Sequence, residues 1–169
     1  MESKLTINKC LSSEHRELSA LLGSFRNFLR DNGIKQQPMW RLPLSTKLLS
    51  DLRSAFGFNV PKHFALEENE LFPILEEAGC GQLVEILLED HKLIMEIIQI
   101  VMPLLDKAQS TGLLSEDEWQ TLLRQGDALV TELAAHAEKE DASMVPELEE
   151  ILDKAQADEI YHRYRSLSM

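Results

Sequence analysis

The stretches PKHFALEENELFP (residues 61–73) and AAHAEKEDASMVP (residues 134–146) repeat one pattern within a chain of 169 residues. Each contains a histidine, a glutamate four residues later, a second acidic residue directly after that glutamate, and a proline ten residues after the histidine. Residues four apart share one face of a helix, so each stretch predicts a histidine and a glutamate stacked on the same face. A pattern that occurs twice in so short a chain indicates a common cause.

The composition favours a single all-α domain. Apolar residues make up 44% of the chain and aromatic residues only 6%, and there are 7 glycines and 6 prolines. These proportions suit helices better than sheets, and the length suits one domain with one sizeable core. We therefore expect residues 1–169 to form one domain, with a core bundle over about 5–154 and a helical tail over 155–169.

Charge and hydropathy exclude several classes of function. The formal net charge of −12 repels phosphate backbones, so we expect no nucleic-acid binding. The chain has neither a signal-like start nor an apolar run of the roughly 18 residues that span a membrane, which predicts a cytoplasmic protein without membrane association. Cys10 and Cys80 lack metal-binding spacing and are too few for a disulfide framework, so both are expected to be reduced thiols.

Periodicity and breaker residues predict four long helices and a short fifth. The predicted helices cover about residues 6–32, 45–78, 82–110, 115–141 and 157–167, and a continuation of the fourth through Pro146 is left open. Gly33 should end the first, GFNVP (residues 57–61) should interrupt the second, and Pro103 should kink the third. Ser115 and Glu118 have the spacing of a capping box at the start of the fourth. Long helices joined by mostly short turns predict an up-down-up-down four-helix bundle with a short C-terminal extra helix.

Each long helix places one histidine within its stripe of apolar residues. These histidines are His15, His63, His91 and His136. Two of the helices add a glutamate on the same face, Glu67 and Glu140. The fifth histidine, His162, lies in the polar tail and is expected at the surface.

A metal site explains these six polar residues better than ordinary core packing does. A single histidine in a core is common, but one on every helix is not. Two glutamates buried without partners would cost several kcal/mol each, and the neighbouring stripe positions offer no lysine or arginine. Six ligands with four nitrogens are too many for one tetrahedral zinc and unsuited to calcium or magnesium. The set predicts two iron ions with bridging carboxylates, and an oxide or hydroxide bridge would reduce their charge.

The two halves of the chain also match upstream of the quoted stretches. The segment EHR (residues 14–16) parallels DHK (residues 90–92), and each precedes the next core histidine by a similar interval. The chain therefore reads as a helix pair repeated twice, which predicts a bundle with approximate two-fold symmetry around the metals.

This pattern resembles the hemerythrin-like family of the HHE cation-binding type. The order of His15, His63 with Glu67, His91, and His136 with Glu140 covers most of the chain, and EENELFP (residues 67–73) is similar to the family's usual continuation. The resemblance implies a four-helix bundle with a non-haem di-iron centre. It also implies that the four histidines are terminal ligands and the two glutamates bridging ligands.

The sequence departs from the oxygen-carrying members of that family at two places. Met95 stands where those proteins have a fifth histidine, one turn after His91. Their last carboxylate is an aspartate five residues after the fourth-helix histidine; Asp141 occupies that position here, but Glu140 matches Glu67 in the repeat and is preferred. Other acidic candidates are Asp141, Glu68 and Glu96. Met95 is expected to pack in the core.

Loss of the fifth histidine argues against a dedicated oxygen carrier. The resemblance then implies a stand-alone di-iron protein that senses or binds oxygen or nitric oxide, or serves iron and redox homeostasis. The alternatives are a di-iron enzyme for peroxide or nitric oxide reduction or iron-centre repair, and a metal-stabilised interaction protein. The segment GIKQQPMWRLPLS (residues 33–45) carries Met39 and Trp40, which look exposed; it either forms a partner surface or, in the preferred interpretation, packs over one end of the bundle.

Overall fold

The computed structural model describes residues 5–32 and 37–166, and almost all of these residues are helical. The helices in chain order are α1 (Thr6–Asn32), α2 (Pro43–Ser54), α3 (Val60–Leu66), α4 (Phe72–Glu77), α5 (Gly81–Thr111), α6 (Glu116–Lys139), α7 (Val145–Ile151) and α8 (Lys154–Ser166). Three π-helical turns, Ala55–Asn59, Glu67–Leu71 and Glu140–Met144, join α2 to α3, α3 to α4 and α6 to α7. We call α1 the first rod, the continuous unit α2–α4 the second rod, α5 the third rod and the continuous unit α6–α7 the fourth rod. The described residues contain no strand, which confirms the all-α prediction.

Two apolar cores show that successive rods run in opposite directions. The first core joins the C-terminal half of α1, the start of the second rod, the C-terminal half of α5 and the start of the fourth rod. The second core joins the opposite ends of the same four elements. Each rod therefore reverses the direction of the previous one, and the predicted up-down-up-down bundle is confirmed.

The C-terminal helix α8 is the predicted extra helix. It lies against α1 and adds Ala157, Ile160 and Tyr164 to the second core. The exposed side of α8 carries His162, as expected for a histidine in a polar tail. A short helix of this kind depends on tertiary packing because its own hydrogen bonds barely offset the loss of chain entropy.

The predicted interruption of the second helix at GFNVP is wrong. The helix continues through this stretch by means of the π-helical turn Ala55–Asn59. Proline lacks a backbone N–H donor, and its ring crowds the carbonyl four residues earlier. The π turn is wider because its backbone hydrogen bonds join residues five apart, so the bonding before the proline differs from that of a regular α-helix. All three π turns end two residues before a proline, at Pro61, Pro73 and Pro146. Burial of Phe56, directly before the stretch, and of Val60 within it outweighs the low helix propensity of the stretch.

Most other helix limits agree with the sequence. Helix α1 has the predicted bounds, although Gly33 lies outside the described residues, and α5 is one residue longer at each end and continues through Pro103. Ser115 and Glu118 form the predicted capping box at the start of α6. The fourth rod extends beyond residue 141 to Ile151, because the π turn carries it past Pro146. No helix among the described residues combines the length and the apolar character needed to span a bilayer.

The described part of the loop before α2, residues 37–42, packs over the first core as the preferred interpretation predicted, but Trp40 is buried and does not have the exposed position that the sequence suggested. The Trp40 ring lies 5.6 Å from that of Phe28 and 5.8 Å from that of Trp119, between ring centroids. Its Nε1 donates a 3.0 Å hydrogen bond to Gln37. Burying a large aromatic ring with its one polar atom satisfied favours this arrangement over an exposed surface. Met39 does stay exposed, at 72%.

Close packing of α1 against α6 depends on Gly126. A Cβ at this position would lie 2.9 Å from Leu29 Cδ1 and 3.0 Å from Phe25 Cζ. We expect Gly126→Ala to lower the free energy of unfolding by about 1–2 kcal/mol, because overpacking outweighs the gain in helix propensity. The matched variant Gly23→Ala meets nothing within 4 Å and should be stabilising by about 0.5–1 kcal/mol. Urea unfolding measures both, and an equal effect of the two variants would contradict this packing.

Candidate metal centre

The six predicted polar residues lie in a layer between the two apolar cores. Each rod passes from one core to the other at its histidine: His15 lies between Leu11 and Leu22, and His91 between Leu87 and Ile94. All four histidines are buried, and Glu67 and Glu140 have no exposed surface. The structure thus brings together every residue that the sequence predicted as a ligand.

The two glutamates each begin a π-helical turn. Glu67 opens the turn Glu67–Leu71, and Glu140 opens the turn Glu140–Met144. Each lies one turn after a histidine of its own rod, with 3.0 Å between His63 Nε2 and Glu67 Oε1 and 2.9 Å between His136 Nε2 and Glu140 Oε1. π-Helical turns occur often at functional sites because they realign side chains relative to a regular helix. Here they accompany the two inward-facing carboxylates.

The inward-facing atoms form two overlapping groups. One group contains His15, His63, Glu67 and Glu140, and the other contains Glu67, His91, His136 and Glu140. Within each group the potential ligand atoms all lie within 4.8 Å of one another. Glu140 Oε2 lies 3.1 Å from His15 Nε2, whereas its Oε1 approaches His136, so its two oxygens serve different groups. The two groups therefore share both central carboxylates.

The hydrogen-bonding state of these atoms fits cations as well. Both carboxylate oxygens of Glu67 and of Glu140 are buried without a hydrogen-bond partner, as are Nε2 of His91 and of His136. The close nitrogen–oxygen approaches therefore lack hydrogen-bond geometry, although their distances are short. Leaving six such atoms unsatisfied would be costly. A bound metal would satisfy all six atoms together, so these donors fit the metal site that the sequence predicted.

Without a cation, protons must supply the positive charge. His15 Nε2 and His63 Nε2 lie 3.2 Å apart, which two neutral acceptors could not tolerate. Burial lowers the pKa values of His15, His63 and His91. The neighbouring carboxylates raise these pKa values by more than burial lowers them, and the pKa of His91 reaches about 9. Burial raises the pKa of Glu140, but contacts with the four imidazoles hold it well below its ordinary value. Metal binding must therefore displace protons from the imidazoles.

An outer set of four carboxylates holds the imidazoles from the other side. Each accepts a hydrogen bond from, or contacts, one Nδ1 atom. The pairs are Glu14 with His63 (2.7 Å), Asp141 with His15 (2.9 Å), Glu68 with His91 (2.8 Å) and Asp90 with His136 (3.3 Å). Such partners fix the ring orientation and turn Nε2 toward the metal.

The outer carboxylates obey the two-fold repeat seen in the sequence. Glu14 and Asp90 each precede the first histidine of a repeat and contact the second histidine of the same repeat. Glu68 and Asp141 each follow a central glutamate and contact the first histidine of the other repeat. The segments EHR and DHK already contained this signal, but the sequence did not show that the acidic residue contacts a histidine on another helix.

Comparison with known proteins agrees with this geometry. The family model of the hemerythrin HHE cation-binding domain matches residues 6–114 and 83–167. The chain belongs to this hemerythrin family. No curated protein matches the chain. The matched domain is a cation-binding domain, and this member contains a buried cluster of histidines and glutamates of the kind that can hold a metal ion.

The structure also places the alternative ligands that the sequence left open in this hemerythrin domain. Asp141 and Glu68 are each 44% exposed and face Nδ1 atoms on the outside of the cluster, so Glu140 and Glu67 hold the central positions. Met95, which replaces the fifth histidine of oxygen carriers, packs against the first core. Glu96 is exposed and belongs to neither donor group.

Proposed function

We propose that this hemerythrin-like chain acts as one domain that holds two iron ions in the bundle core and uses them to bind or sense a diatomic gas or to serve iron and redox homeostasis. His15 and His63 would hold one ion, and His91 and His136 the other. Glu67 and Glu140 would bridge them. The observation that carries this proposal is the pair of overlapping donor groups that share two fully buried carboxylates.

The donor set favours iron among the transition metals. Imidazole nitrogens with carboxylate oxygens suit iron, and no thiolate belongs to either group. Each group offers two imidazoles and two carboxylates, so four protein donors surround each ion. Iron commonly accepts about six ligands, so positions remain for a bridging oxygen and an external ligand. Bound iron would supply reversible one-electron chemistry and an electrophilic position for that ligand.

The charge around the centre favours neutral ligands such as oxygen and nitric oxide. Two inner and four outer carboxylates face the four imidazoles. With Lys139, which pairs with Asp90, and two divalent ions the net charge is about −1, which opposes the entry of anions. The outer carboxylates would also make the imidazoles more basic ligands, which stabilises the oxidised metal over the reduced one.

A structural metal is the second candidate, because four donors per ion also complete a tetrahedral set for zinc. In that case the metals would support a helical interaction protein and would be redox-silent. A di-iron enzyme that reduces peroxide or nitric oxide, or repairs iron centres, differs from a gas sensor only by turnover.

Metal content and an optical spectrum distinguish these functions. We expect about two irons per chain and a near-ultraviolet oxo-to-iron charge-transfer band that bleaches on reduction and returns or shifts with oxygen or nitric oxide. Steady-state consumption of peroxide or nitric oxide would move the assignment to an enzyme. One redox-silent metal, or two zinc ions that iron cannot replace, would overturn the di-iron proposal in favour of the structural role.

A further inference from the structure

A cavity of about 500 Å³ opens from the candidate metal centre to the surface between α1, the second rod, α6 and α8. Its buried end is formed by His15, His63, His136 and Glu140. Its sides combine polar residues with an apolar part that includes Leu18, Leu21 and Leu133. The centre thus has one side that is open to a molecule from solution.

The cavity is much larger than a diatomic gas requires. A water molecule, which is similar in size to oxygen or nitric oxide, occupies about 30 Å³ in the liquid. Pockets of roughly 300–1,000 Å³ are typical for small organic ligands. At 500 Å³ the cavity lies within the latter range.

One wall of the cavity breaks the two-fold repeat of the chain. The π-helical turn Ala55–Asn59 contributes Ala55, Phe58 and Asn59 to the lining. The other two π turns each begin with a central glutamate, but this one carries no residue of the donor groups. The corresponding residues of the second repeat, 128–132, lie within the regular helix α6. Pro61, whose counterpart in the second repeat is Ala134, accounts for this departure from regular helix, and the wider turn gives the cavity a wall that the second repeat lacks.

Phe58 is an unusual feature of this wall. Its side chain lines the cavity and yet remains 54% exposed, in a turn that otherwise packs Ala55 and Phe56 into the core. An exposed aromatic ring at the mouth of this cavity offers a contact for the body of an organic ligand.

Charge indicates that this ligand is neutral. The lining carries three carboxylates, of Glu14, Glu17 and Asp51, and two cations, of Lys62 and Arg165. Carboxylates therefore exceed cations along the cavity as well as around the centre, which disfavours anions.

We propose that the cavity binds a neutral organic molecule that has an apolar body and a hydroxyl or hydroperoxyl oxygen at one end, with this oxygen toward Glu140 and the body against Leu21 and Phe58. The site for the oxygen end rests on the proposed metal centre, whereas the apolar walls belong to the chain itself. The organic molecule and the diatomic ligand would both reach the centre from this open side.

Calorimetric titration with 4-ethylphenol tests this site, with 4-ethylbenzoate as an anion of nearly the same shape. Protein of measured metal content should bind 4-ethylphenol at least ~10-fold more tightly than 4-ethylbenzoate. Leu21→Trp, which fills the cavity, should weaken phenol binding by at least ~10-fold without changing metal content. Phe58→Ala should weaken it several-fold and provides a second variant at an exposed position. Leu93→Trp, exposed on α5 and remote from the cavity, should bind like the natural sequence.

Three results would overturn the cavity proposal while leaving the di-iron proposal intact: no phenol binding by metal-loaded protein, equal binding by Leu21→Trp, or tighter binding of the benzoate. Protein that takes up no metal overturns the proposed function instead. The same titration is then carried out on the metal-free chain. Phenol binding that Leu21→Trp abolishes would support the cavity proposal, and absence of phenol binding would reject it.

Discussion

Glu140→Gln is expected to reduce bound metal from about two ions per chain to roughly half of that or less. The two oxygens of Glu140 approach histidines of different donor groups, so one carboxylate serves both ions. Glutamine keeps the size of the side chain but removes the negative charge and replaces one oxygen by a poor ligand. Glu67→Gln should have a similar effect, because Glu67 occupies the equivalent position in the repeat and contacts His63 and His91. Elemental analysis after dialysis against ferrous iron without oxygen measures the result.

Two conservative variants provide controls for this loss. Glu96→Gln changes the same functional group at an exposed position of α5 and should retain full metal content. Asp141→Asn changes an outer carboxylate that contacts His15 Nδ1, so it should weaken metal affinity by about 10–100-fold but still permit full occupancy at saturating iron. If Asp141→Asn lost more metal than Glu140→Gln, Asp141 would be the central ligand and the assignment of the bridge would be wrong.

The sequence predicted the centre well because helical periodicity is a local property. An apolar stripe at spacings of three and four defines the inner face of each helix, and His15, His91 and His136 lie directly in such stripes. Glu67 and Glu140 follow a core histidine at the spacing that keeps both on one face. With one polar position per helix, a common layer follows once the four helices pack together. None of these steps requires the relative positions of two helices to be known in advance.

The features that escaped prediction depend on such relative positions or on competition between local and tertiary forces. Glu14 precedes His15 in sequence but contacts His63 on the second rod, and only the packed bundle shows this. GFNVP contains three poor helix formers, which predicts a break when propensity alone is considered. Burial of Phe56 and Val60 keeps the rod helical, and the π turn accommodates the poor helix formers. Trp40 lies in a stretch whose prolines predict a loop, yet two aromatic neighbours from α1 and α6 bury its ring.

Removal of the metal is expected to lower the free energy of unfolding by an amount on the order of 5 kcal/mol, because the buried carboxylates and imidazoles lose their common partner. For a chain of this length, such a loss corresponds to a decrease in Tm of about 10–20 °C. Thermal unfolding before and after chelation measures it. Equal Tm values for protein with and without two bound ions would contradict the burial of the donor groups.

The pH dependence of the metal-free protein should be opposite in sign to that of the loaded protein. The pKa values of His15, His63 and His91 are raised in the folded chain, to about 9 at His91. A raised pKa stabilises the fold fully below the ordinary histidine value near 6.5 and loses that contribution as pH rises through the folded value. Metal-free protein should therefore lose stability between about pH 6.5 and 9, by up to about 3 kcal/mol for His91. Loaded protein should lose stability as pH falls, because protons compete with metal for the imidazoles. Urea unfolding of both forms across this range measures the two slopes. A metal-free protein that became more stable from pH 6.5 to 9 would show that protons do not replace the cations between the carboxylates.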